Sequence, residues 1–239
     1  MIVISAGMPK SGSGWLFNLL NDVMIYCNYC DVRIIKENYN LQDVLKNYNC
    51  NVGQLTKQNL SQLEPAIKDN KGFVIKTHST PGDGITHMQS ITNVKCIFIY
   101  RDPRDIALSA LDHGLKQREE EDYNGAFAHI DTIDKAINFA LEQKNLWMRW
   151  NKDDRRYMVS YEQLITNTLS TMKAITKYLG LQIDHQNLDA IIYRYHSKSV
   201  KGTHFNKAKK ERYLEYKDLF EKERSEEIDS FLKEMGYSI

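Results

Sequence analysis

The stretch IVISAGMPKSGSGW, residues 2–15, decides the fold. Residues 2–6 form a short apolar run closed by Gly7, the length and composition of a buried strand. From Ser13 to Tyr26 apolar side chains recur at positions 15, 16, 19, 20, 23 and 24, the period of a helix face. The chain therefore opens with a strand, a glycine-rich turn and a helix. Further strands are predicted at 72–77 (GFVIKT), 94–100 (VKCIFIY) and 156–160 (RYMVS). Helical patterns fill 41–49, 59–69, 103–118, 126–150 and 161–179, and a charged helical tail follows at 214–235. Short strands alternating with longer helices imply right-handed crossovers, hence an α/β fold of three layers with a mainly parallel central sheet flanked by helices. No repeat or linker interrupts the 239 residues, so one domain over 1–239 is the simplest organisation.

Composition narrows the function classes. A charged fraction of 26% and a hydrophobic fraction of 42% are ordinary for a globular protein. The net charge of +1 gives no global drive toward nucleic acid or an anionic membrane, so an anionic ligand needs local cations. No run approaches the roughly 20 apolar residues of a membrane span. The start lacks the basic and long apolar segments of a signal peptide, and the expected location is cytoplasmic. Of the 4 cysteines, Cys27 and Cys30 form a lone CxxC, with no second pair to complete a structural zinc set. Cys50 and Cys96 stand apart, and reduced thiols are the expected state.

The loop from Gly7 to Trp15 joins a buried strand to a helix N-terminus. Its amides and the helix dipole suit a phosphate. A triphosphate–magnesium loop reads GxxxxGK[ST]. Here Gly7 and Gly12 keep that spacing, but Ser13 replaces the lysine and Gly14 the hydroxyl residue. The lysine lies inside the loop instead, at Lys10. A phosphate site without a metal fits better, although a turn with no ligand is equally compatible with the loop alone.

Pro9 to Trp15, read as Pro9-Lys10-Ser11-Gly12-Ser13-Gly14-Trp15, resembles the 5′-phosphosulfate loop of the sulfotransferases that use 3′-phosphoadenosine 5′-phosphosulfate (PAPS). The family usually carries hydroxyls at the positions of Ser13 and Gly14, and Gly14 keeps only its backbone N–H. The resemblance implies a P-loop-type fold, PAPS as sulfuryl donor, adenosine 3′,5′-bisphosphate (PAP) as product and no metal.

Two further segments carry it. The second strand ends Lys76-Thr77-His78, and alternation places Lys76 and His78 on one face at the ligand edge of a parallel sheet. Histidine can take an acceptor proton and lysine can stabilise charge on a leaving oxygen. In the family the histidine of this segment is the base. The segment from Arg101 resembles the 3′-phosphate motif, Arg101-Asp102-Pro103-Arg104-Asp105, with Ser109 eight positions after the arginine. Helix-start chemistry explains Asp102, Pro103 and Asp105. It leaves Arg101, a cation at the sheet edge, for a phosphate.

Weaker matches follow. Tyr161 begins a segment like one that places a tyrosine near adenine, and Trp15 offers a second aromatic face, although packing in the core accounts for both rings equally. Near the C-terminus the family closes a Lys-Gly loop over the 3′-phosphate; Lys207 is the preferred candidate and Lys201 the other. The expectation is a sulfotransferase in which His78, Lys10 and Lys76 are catalytic. Pro9, Lys10, Ser11, Gly12, Ser13, Gly14, Trp15, Arg101, Ser109, Tyr161 and Lys207 hold the nucleotide. The acceptor is a small molecule, lipid or carbohydrate bearing a hydroxyl or amine. A homodimer is allowed, and no nucleic-acid partner is expected. A non-catalytic PAP-binding protein and a small-molecule kinase are the alternatives.

Overall fold

The computed structural model describes residues 1–196, 210–222 and 226–238. Strand β1 (Ile2–Gly7) is buried along its whole length, so it reads as a continuous apolar run rather than an alternating one. It lies in the middle of a sheet of order β2-β3-β1-β4-β5, with β2 (Asn51–Val52), β3 (Phe73–Thr77), β4 (Val94–Tyr100) and β5 (Arg156–Ser160). Every pairing is parallel. In register, Ala6 faces Thr77, Gly7 faces Ile99 and Tyr100 faces Ser160, so the carboxyl ends of the strands finish along one edge. The chain leaves β1 toward β3 on one side and later returns to β4 on the other. That reversal opens a crevice at the tip of β1, where open α/β sheets bind ligands.

Helix α1 (Ser13–Tyr26) matches the expected span, and its apolar residues Leu16, Leu19, Leu20 and Val23 are fully buried. Phe98 of β4 stacks on Trp150 at a centroid distance of 5.6 Å, tying the sheet to α7 (Ile133–Asn151). The Trp150 indole N–H donates to the Ser79 carbonyl at 2.9 Å, so the core also pins the segment after β3. Helix α6 (Pro103–Glu119) begins with Asp102 as cap, its carboxylate accepting from the Arg104 amide.

The other helices depart from the sequence pattern in instructive ways. Residues 41–49 form turns rather than a helix, because Asn40, Asn47 and Cys50 adopt left-handed backbone conformations. The helix in that region is α2 (Val32–Asn38), capped by Asp31. The 59–69 pattern is two short helices, α3 (Lys57–Ser61) and α4 (Glu64–Lys68), the second carrying a proline in its first turn. Helix α7 begins later than expected, at Ile133, where the Thr132 hydroxyl caps it. The 161–179 pattern breaks at Asn167 into α8 (Tyr161–Thr166) and α9 (Thr168–Leu179). Helices α5 (Asp83–Gln89) and α10 (His185–His196) were not expected. The charged tail is a short 3-10 turn, Arg212–Tyr216, followed by α11 (Lys217–Lys222) and α12 (Glu226–Met235). No helix among the described residues is long and apolar enough to cross a membrane.

Gly7 is required by the close approach of β4. A Cβ there would meet the Ile99 Cγ2 at 2.5 Å and the Ile99 carbonyl at 3.0 Å. Gly7→Ala is therefore expected to lower the unfolding free energy by about 1–3 kcal/mol, the range for overpacking. Urea denaturation checks this as a lower midpoint at unchanged slope. A midpoint equal to that of the parent would show that Ile99 yields without strain.

Candidate functional site

The β1–α1 loop is shaped by two left-handed residues, Lys10 at φ 67 and Gly12 at φ 80. Between them the Ser11 amide and hydroxyl both donate to the Met8 carbonyl, at 3.2 and 2.6 Å, closing a tight turn. A Cβ at Gly12 would meet the Tyr161 ring at 2.7 Å, so the glycine also lets that ring lie against the loop. Gly12 caps α1 and no side chain fills the cap. The first-turn amides from Ser13 onward thus face the crevice with the positive end of the helix dipole behind them.

Lys10 projects into this crevice with its ammonium 4.7 Å from the centre of the Phe127 ring. Its pKa is pushed down to about 8, first by burial and then by Arg101, against the opposing pull of Asp112.

Lys76 and His78 share one face, as alternation at the end of β3 requires. The His78 Nδ1 lies 2.6 Å from the Gly7 carbonyl, and the Lys76 Nζ lies 2.6 Å from His78 Nε2. A carbonyl can only accept, so Nδ1 carries the proton and Nε2 offers its lone pair to Lys76. Burial, and secondarily the charge of Lys76, push the imidazole down to about 3, with the Gly7 bond opposing. Burial also lowers Lys76 to about 8. At neutral pH the pair is a neutral histidine beside a charged lysine.

Arg101 closes the third side. Its Nη1 donates to the Lys10 carbonyl at 3.2 Å, and its Nη2 pairs with Asp105 at 3.1 Å. The guanidinium lies 4.3 Å from the centre of the Tyr161 ring. Tyr161 is positioned by a capping box in which the Ser160 hydroxyl accepts from the Gln163 amide and the Gln163 side chain accepts from the Ser160 amide. One ring therefore braces both the loop and the arginine. Ser109 follows Asp105 by one helical turn on α6 and lies on the same face.

The structure thus brings together Lys10, Lys76, His78, Arg101 and Tyr161, delivered by the tips of β1, β3, β4 and β5. Pro9, Ser11, Gly12, Ser13 and Gly14 build the loop between them. Trp15 is packed in the core with 2% of its surface exposed, and Tyr161 is buried as well, with 7% exposed, between Gly12 and Arg101. Lys201 and Lys207 lie outside the described residues.

Sequence reasoning missed several neighbours. Asp105 is fully buried and accepts from the Tyr213 amide as well as from Arg101. Arg212 pairs with Asp112 at 2.9 Å. Arg104 is bound to Asp102 and to the Ser238 carbonyl and covered by the Tyr213 ring, whose centre lies 3.5 Å away. Glu162 accepts from the Tyr237 hydroxyl at 2.7 Å and from the Asp102 amide at 3.2 Å. Cys27 and Cys30 are free thiols away from this edge, and burial raises the Cys27 pKa, the opposite of what redox chemistry requires. Among the described residues no group of three or more His, Cys, Asp or Glu side chains converges as metal ligands would.

The family model described as Sulfotransferase domain matches residues 2–235 of this chain. Among solved structures, the chain is similar to mouse sulfotransferase SULT7A1 complexed with PAP, at 14% identity and a TM-score of 0.57, over 97% of this chain and 88% of that one. It is also similar to retinol dehydratase in a complex with retinol and PAP, at 15% identity and a TM-score of 0.60, over 97% and 81%. A sulfotransferase domain from the curacin biosynthetic pathway aligns at 10% identity and a TM-score of 0.51, over 100% and 98%. These likenesses establish the fold. No curated protein matches the chain.

The two lysines give the site a pH signature. Both lose charge as the pH rises through about 8. An anion favours their charged forms, so it raises both pKa values on binding and takes up protons. Calorimetry with inorganic pyrophosphate should show affinity falling above about pH 8, with proton uptake in buffers of different ionisation heat. Constant affinity from about pH 7 to 9.5 would remove Lys10 and Lys76 from the anion site.

Proposed function

We propose that this chain, which belongs to the sulfotransferase domain family, catalyses sulfuryl transfer from PAPS, with His78 as the base, Lys10 and Lys76 stabilising the leaving phosphate, and Arg101 reading the 3′-phosphate. The observation that carries this reading is the hydrogen bond from Arg101 to the Lys10 carbonyl, 3.2 Å long. It joins two cation sites from different strand tips into one crevice, the arrangement that a nucleotide phosphorylated at both ends requires.

The loop amides from Gly12 to Trp15 suit the 5′-phosphate, with Lys10 beside them; the Ser11 amide is already committed to the Met8 carbonyl. Arg101 and Ser109 suit the 3′-phosphate, with Lys207 as a further candidate. Tyr161, packed against Gly12 and Arg101, remains the candidate for a contact with the base.

At the reacting centre the acceptor oxygen or nitrogen attacks sulfur in line, and the bond from sulfur to the bridging phosphate oxygen breaks. The acceptor proton passes to His78 Nε2, and PAP leaves. In this structure Nε2 accepts a hydrogen bond from Lys76. Negative charge on the bridging oxygen draws the Lys76 ammonium away and frees the histidine lone pair. One lysine therefore links readiness of the base to presence of the donor. The Gly7 carbonyl holds Nδ1–H throughout, fixing the tautomer.

The acceptor class is a hydroxyl or amine on a small molecule, lipid or carbohydrate. Four free thiols fit a reducing compartment, and the cytoplasm is the location we propose.

Turnover of labelled PAPS against a panel of sugars, lipids, phenols and amines tests the activity. His78→Ala should lower kcat by roughly 10²–10⁴-fold, the usual worth of a general base, while PAP affinity in calorimetry stays within about twofold. Retained turnover would remove His78 from the mechanism. Because burial holds His78 near 3, the neutral base persists well below the ordinary histidine range. The acid limb of kcat/KM should therefore lie below about pH 5. A limb centred near about 6.5 would contradict a buried neutral imidazole.

A further inference from the structure

The arginine that reads the 3′-phosphate is itself aimed by a buried carboxylate. Asp105 lies on the first turn of α6 with no exposed surface. Its two oxygens serve different parts of the chain. Oδ2 pairs with the Arg101 Nη2 at 3.1 Å, and Oδ1 accepts from the Tyr213 amide at 3.1 Å. Two flanking contacts hold the same returning segment on α6: Arg212 pairs with Asp112, and the Tyr213 ring covers Arg104. On its other side Arg101 is held by the Lys10 carbonyl and by the face of Tyr161.

We infer that Asp105 is a positioning residue of the nucleotide site: it makes no contact with the nucleotide, but orients the Arg101 guanidinium and clips the Arg212–Tyr213 segment beside it. The inference rests on the reading of Arg101 as the 3′-phosphate cation. A helix-start aspartate needs only the dipole and solvent. This one is withdrawn from solvent and committed on both oxygens, which is the arrangement that fixes a planar fork for a planar acceptor.

Charge and position make opposite forecasts, which exposes the inference to refutation. By charge alone, removing a carboxylate beside a phosphate-binding arginine should tighten an anion. By position it should loosen it. In Asp105→Asn a single carbonyl oxygen remains, and if it keeps the Tyr213 amide, its NH₂ group faces the Arg101 donors. Arg101 then loses its aim.

The experiment measures affinity for PAP and for adenosine 5′-monophosphate, which lacks the 3′-phosphate, in the wild type, Asp105→Asn, Arg101→Ala and the double variant. Asp105→Asn should weaken PAP by about tenfold and the monophosphate by less than about twofold. In the Arg101→Ala background the second substitution should add nothing to the loss of PAP, because Asp105 acts through that arginine. Tighter PAP binding, equal weakening of both nucleotides or full additivity overturns the inference. Should Asp105→Asn fail to fold, Tyr213→Pro deletes the other partner of the carboxylate, and the same loss confined to PAP is expected; unchanged PAP affinity overturns the inference. If the wild type binds no PAP, or Arg101→Ala weakens the two nucleotides equally, the reading of the site itself falls.

Discussion

The Lys10 carbonyl and the Arg101 guanidinium meet at the tip of β1, and the site is organised around that contact. A parallel sheet with a switch point on its central strand has one place where loops from several strands converge. Here that place receives a loop from β1, the end of β3, the turn after β4 and the start of α8 after β5. The hydrogen bond between Arg101 and Lys10 makes the first and third of these a single wall. Tyr161 braces that wall from behind, touching both Gly12 and Arg101. The glycine at position 12 is therefore needed twice, for its left-handed backbone and for the ring that occupies the space of its missing side chain.

Gathering Lys10, Lys76 and Arg101 in a buried crevice is unfavourable before an anion arrives. The structure relieves this in several ways. Asp105 neutralises Arg101, the Phe127 ring faces the Lys10 ammonium, and His78 offers Lys76 a lone pair. Burial also lowers both lysines to about 8, which eases their mutual repulsion before an anion arrives. Each of these partners is weaker than a phosphate, so each can be displaced. His78 is the consequential case, since the lone pair that steadies Lys76 is the one that takes the acceptor proton in the mechanism we propose.

Much of this was legible in the sequence, for a physical reason. The loop, the Lys-Thr-His strand end and Arg101 are fixed by local spacing, and a parallel sheet carries each of them to the same edge. The 41–49 stretch shows the limit. Leu41, Val44 and Leu45 are buried as a helical period demands, yet the backbone is a series of turns, because asparagines on either side adopt left-handed conformations. The pattern reported which side chains go inside without reporting the path between them. Asp105 shows a second limit. Its place at a helix start explains it completely until Tyr213 returns from far along the chain to occupy its second oxygen. Trp15 shows a third: a position beside the loop does not say on which side of the helix the ring is packed.

A crystal of the protein grown with PAP tests the central claim most directly. The account requires the 5′-phosphate to accept from the amides of residues 12–15, and the 3′-phosphate to lie within hydrogen-bonding reach of the Arg101 guanidinium. Density for PAP elsewhere on the protein, or only one of its phosphates held in this crevice while the other points into solvent away from Arg101, would contradict it.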